Sequence, residues 1–128
     1  MNVSFLRFAL LADALASGAT GLLAFAGAGF LDSWLGLPTN LLFYAGLSLL
    51  PYAALVAYVG TRETISRPAV WAILAYNAVW AIDSITLLVS GHVAPTMLGY
   101  AFVIVQASVV SGFAGLQYVG LRKSVVVA

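Results

Sequence analysis

All five Lys and Arg residues of this chain fall outside its four long apolar segments, and all in alternate gaps between them. Arg7 precedes the first segment, Arg62 and Arg67 lie between the second and third, and Arg122 and Lys123 follow the fourth. The gaps around Asp32 and His92 hold neither Lys nor Arg. A chain threaded back and forth through a bilayer would place every basic residue on one side. The tendency of cytoplasmic loops to carry the excess of Lys and Arg assigns that side, together with both ends of the chain, to the cytoplasm. The expected fold class is therefore an all-α integral membrane protein, an up-down-up-down bundle of four transmembrane helices forming a single domain over residues 1–128. A bacterial inner membrane is the expected location.

Composition agrees. The 128 residues are 63% apolar and only 7% charged, with a mean hydropathy of +1.08, whereas a water-soluble domain has about a quarter of its residues charged. The net charge of +1 comes with no basic run, which argues against nucleic acid as a partner. With no cysteine, disulfides, thiolate metal sites and cysteine nucleophiles are excluded.

The first span is expected over about 8–30, some 35 Å of helix against a hydrocarbon core of about 30 Å. Ala14-Leu15-Ala16 has the form of a signal-peptide cleavage site, but Asp13 interrupts the apolar stretch and Arg7 alone makes the charged flank, so this helix is expected to stay attached. Trp34 suits a headgroup layer, and Gly36-Leu37-Pro38-Thr39-Asn40 reads as a turn. The second span, about 41–60, carries Pro51 and should kink there. Ser66 is a candidate N-cap with Pro68 in the first turn of the third helix, about 69–90. Gly91-His92-Val93-Ala94-Pro95 is a tight turn, and Pro95 is expected to open the fourth helix, about 95–121. Tyr58, Trp71 and Tyr118 should form an aromatic belt beside the arginines.

The halves resemble each other. An offset of 64 pairs Leu10 with Leu74, Asp13 with Asn77, Ala14 with Ala78, Thr20 with Ser84 and Leu23 with Leu87. An offset of 60 pairs Tyr58-Val59-Gly60 with Tyr118-Val119-Gly120 and Arg62 with Arg122. Two tandem two-helix repeats, inserted the same way round, would be related by a pseudo-two-fold axis along the membrane normal.

Asp13 and Asp83 lead the candidate site residues. A carboxylate within a span costs about 2.5–3.5 kcal/mol at the helix centre. Asp83 lies about 18 Å along its helix from Trp71 and Asp13 about 8 Å from Phe8, and no basic residue shares the depth of Asp83. Its carboxyl must be protonated, held by hydroxyl and amide donors, or met by a cation from another molecule, and it should face protein rather than lipid. Asp13, Ser17 and Thr20 share one helix face, as do Asn77 and Ser84, with Gln106 on the fourth helix. These polar groups are either a proton or cation site or a set of interhelical hydrogen bonds that locks the bundle. The small-residue pairs Ala14/Gly18, Ser17/Gly21, Ser108/Gly112 and Ser111/Gly115 allow close helix approach, within the chain or against a partner. His92, the single histidine, reads as a turn residue, and Trp80 as core filling or a lipid contact. No catalytic Ser–His–Asp set, phosphate loop or metal-ligand cluster is evident, and no cofactor is expected.

The layout resembles that of many small bacterial four-span proteins, a likeness over the whole chain that brings no site with it. The expected function is a non-enzymatic accessory or assembly subunit packing against a larger membrane complex, respiratory or photosynthetic. The alternative is a minimal transporter or channel formed by self-association around the intramembrane Asp residues. The expected partners are thus the lipid bilayer and other membrane subunits or further copies of the chain.

Overall fold

The computed structural model describes residues 4–123 and, within them, consists of four helices: α1 (Ser4–Leu35), α2 (Thr39–Thr61), α3 (Arg67–Ser90) and α4 (Met97–Lys123). All four are long and apolar enough to cross a membrane. Their boundaries follow local chemistry. α1 runs several residues further at each end than the apolar stretch suggested, and stops where Gly36 turns left-handed at φ +67°. The N–H groups of Gly36 and Leu37 then close on the carbonyl of Asp32, a C-terminal capping arrangement that favours glycine. The Asp32 carboxylate also takes the Thr39 hydroxyl, tying the start of α2 to the end of α1. α2 continues through Pro51 as one helix. α3 starts under the Ser66 cap, whose hydroxyl accepts from the N–H of Ala69 at 3.3 Å, with Pro68 in the first turn. It ends at Gly91, left-handed at φ 82°.

α4 begins at Met97, two residues after the expected Pro95. The reason is Thr96. Its N–H bonds the carbonyl of Leu35 at 3.0 Å, its hydroxyl donates to the carbonyl of Trp34, and the same oxygen accepts from the N–H of Gly99. Thr96 thus caps α4 and satisfies carbonyls that the end of α1 leaves open.

The helices pack in opposite directions. Leu10 of α1 lies against Gly60 of α2 while Gly21 lies against Leu49. Leu6 meets Gly120 of α4, and Leu35 meets Gly99. α1 therefore runs antiparallel to both α2 and α4, and the ring contact of Trp71 with Tyr118 and the Trp80–Gln106 hydrogen bond set α3 antiparallel to α4. α2 and α3 barely touch. At the end that holds the arginines the bundle closes tightly around Leu6, Leu10, Val56, Ile65, Val70 and Leu121. A smaller apolar cluster around Leu35, Leu37, Leu42 and Val103 closes the other end.

The basic residues converge on that first end. Arg7 donates to the carbonyls of Gly60 and Arg62, and Arg67 to that of Leu121. Arg62 lies 4.5 Å over the Tyr58 ring and Arg122 5.8 Å over that of Tyr118, cation–π contacts at positions that the offset of 60 pairs.

Glycine places the helices. A Cβ built on Gly46 would stand 2.4 Å from the backbone N of Phe25, and one on Gly21 would stand 2.8 Å from Leu49 Cβ. Gly18 leaves ordinary contact with Ala53 at 3.6 Å, whereas Gly112 and Gly115 have no neighbour within 4 Å. The α4 small-residue pairs therefore make no helix contact among the described residues, and the close crossing belongs to Gly21 and Gly46. Gly46→Ala should lower stability by about 1–3 kcal/mol, the usual scale of overpacking, while Gly112→Ala and Gly115→Ala should leave it unchanged or raise it. Denaturation in mild detergent, followed by circular dichroism, checks the order.

Candidate functional site

The interior of the bundle is mostly apolar but holds four buried polar side chains, while many large apolar side chains are exposed on its outer faces. Asp13 and Gln117 are 0% exposed and Asn77 2% exposed, whereas Leu15 is 76% and Val89 78% exposed. The buried polar groups form one cluster to which every helix contributes. Asp13 of α1 accepts from the Ser17 hydroxyl at 2.8 Å through Oδ1. Its Oδ2 takes the Tyr52 hydroxyl from α2 at 2.8 Å, the Asn77 amide from α3 at 3.0 Å and the Gln117 amide from α4 at 2.8 Å. Asn77 Nδ2 also donates to Gln117 Oε1 at 3.1 Å, and Tyr52 Oη lies 2.8 Å from Asn77 Oδ1. Among the described residues no buried side-chain polar atom lacks a partner.

Tyr52 has a single hydroxyl hydrogen, so it serves Asp13 or Asn77 at any one moment, and the contacts with both hold its ring between α1 and α3.

A ring ladder leads away from this cluster, with Tyr52 stacked on Tyr76 at 4.2 Å and Tyr76 on Trp80 at 5.9 Å. Trp80 donates its indole N–H to Gln106 Oε1 at 2.9 Å, and Gln106 Nε2 donates to the Ser84 hydroxyl at 2.9 Å. Above this second polar group the helices separate. A cavity of about 350 Å³ lies where α2 and α3 fail to meet, lined by residues of all four helices, among them Thr20, Leu42, Trp80 and Asp83. A second, of about 540 Å³, lies between α1 and α4. Thr20, Leu49, Trp80, Phe102 and Gln106 stand between the two and line both; the first forms a crevice beside Asp83.

The structure thus brings Asp13 and Asn77 together and unites Ser84 with Gln106, but holds Asp83 apart. Asp83 is exposed on the crevice rim, and no hydrogen bond reaches it from the described residues. Tyr52 and Gln117 are the cluster members that sequence reading passes over. The offset of 64 was a usable signal for the centre of the cluster, because it pairs Asp13 with Asn77. His92 is exposed in its turn, and no three potential metal ligands come together among the described residues.

No protein-family model matches the chain, and no curated protein or solved structure matches it.

Proposed function

We propose that this chain is a non-enzymatic, multi-pass protein of a bacterial inner membrane, an accessory or assembly subunit that packs against a larger membrane complex. The observation that carries the reading is the apolar exterior of a bundle whose buried polar side chains, among the described residues, are all paired. Four helices of spanning length turn apolar side chains outward and saturate their buried polar groups among themselves. A hydrocarbon solvent selects that arrangement, since unsatisfied polar groups there cost several kcal/mol each. In the proposed topology the helices cross up-down-up-down. The end holding Arg7, Arg62, Arg67 and Arg122 faces the cytoplasm with both termini, and Trp34 and His92 face the opposite side.

A clasp whose donors and acceptors are used internally supports a structural role rather than turnover of a substrate. Surface for a partner remains on α4, where Ser108, Ser111, Gly112 and Gly115 are exposed and permit close approach of another helix. The second reading, a self-associating transporter, draws on Asp83 at the crevice. The halves add a further element. Leu6/Val70, Ala9/Ile73, Asp13/Asn77 and Ser17/Ala81, all related by 64, are buried in both copies. These pairs support a duplicated two-helix unit whose axis passes near the Asp13–Asn77 contact.

Two measurements test this reading. Cysteines at Ser33 and Glu63 should react with a membrane-impermeant maleimide from opposite faces of sealed vesicles, and labelling of both from one face would refute the topology. A photo-crosslinking residue at Ser111 should give one discrete product containing a different protein, while the same residue at Leu15 gives lipid adducts. A product containing only copies of this chain would favour the transporter.

A further inference from the structure

The crevice beside Asp83 has the features of a ligand site that the accessory-subunit reading does not use. Its volume, about 350 Å³, is of the size that holds small molecules. The walls are largely apolar, with Leu42, Ala45 and Phe102 prominent. Asp83 and Ser84 share its wall with Gln106, which bonds Trp80 and Ser84. Asp83 alone among these groups is a carboxyl without a hydrogen-bond partner. The basic residues lie at the other end of the bundle. Arg67, the nearest along α3, is about 24 Å away by helix rise.

A carboxyl in such a place is costly as an ion and gains from a cation brought to it. The charge points one way: an anion would be repelled by Asp83, and a neutral apolar molecule would gain nothing from it. A bulky cation whose charge is spread over apolar groups loses little on leaving water, fits apolar walls, and finds the aromatic faces of Trp80 and Phe102 beside the carboxylate.

We propose that the crevice binds a lipophilic organic cation, its charged centre at Asp83 and its apolar body between α2, α3 and the Trp80–Phe102 wall. The site holds one such molecule per chain and is reached sideways through the gap between α2 and α3. It is independent of the Asp13 cluster, whose donors are already committed.

Equilibrium dialysis of the purified full chain in a non-ionic detergent, with tetraphenylphosphonium as the probe, tests this. Saturable binding near one per chain is expected. Asp83→Asn should weaken it by about tenfold or more, and Ala45→Phe, which fills the crevice, should abolish it. Glu63→Gln, exposed in the loop between α2 and α3 at the arginine end, should leave it unchanged. Because Asp83 makes no internal bond, its variant should keep the wild-type circular dichroism and melting, so a loss of binding reads the site and not the fold. Neutral triphenylphosphine oxide should displace the probe at least about tenfold less well than unlabelled tetraphenylphosphonium. Absence of saturable binding, unchanged affinity in Asp83→Asn, or equal displacement by the neutral compound would each overturn the proposal.

Discussion

One carboxyl group holds the four helices in register. Asp13 takes a hydroxyl from its own helix, the Tyr52 hydroxyl from α2, and amides from Asn77 of α3 and Gln117 of α4. In the membrane setting proposed above, apolar packing between helices would have little advantage over packing against lipid, and association would rest on close approach and on such polar bonds. Apolar residues tolerate sliding, but a hub that needs four donors in one place does not. The small residues do the complementary part of the work. Gly21 and Gly46 bring α1 within backbone distance of α2, and Gly60 and Gly120 admit Leu10 and Leu6.

The position of that hub explains the shape of the rest. Asp13, Tyr52, Asn77 and Gln117 lie in the half of the bundle nearer the arginines, and there the helices close completely. Beyond Trp80 nothing polar draws α2 to α3, and the bundle opens into the crevice. Thr96 and Asp32 hold the far end together through backbone and loop bonds. The molecule is clasped at two levels with a gap between them, and Asp83 lies beside the gap.

Much of the scaffold was legible in the sequence because the signals are local. Four apolar runs, the Ser66 cap and the turn at Gly91 each depend on a few adjacent residues. Helix ends were less so: α4 starts at Met97 because Thr96 bonds the end of α1, a contact between residues far apart in sequence. The site was half legible. Asp13 and Asn77 stand out as polar groups in apolar runs at repeat-related positions, but Tyr52 and Gln117 carry no comparable signal. Only the antiparallel pairing of α1 with α4 carries Gln117 to Asp13. Small-residue spacing places Gly112 and Gly115 on one face of α4 but does not say what covers it, and no helix among the described residues does.

The central claim, that Asp13 couples helices distant in sequence, is tested most directly by a double-mutant cycle between Asp13→Ala and Gln117→Ala, read as unfolding free energy in mild detergent. These residues are 104 positions apart and bonded at 2.8 Å. The account predicts non-additivity above the roughly 0.6 kcal/mol average for interhelical bonds in membranes, because losing either residue strips the other of its partner. Additivity within about 0.3–0.5 kcal/mol would mean that the two do not depend on each other, and the hub would not exist.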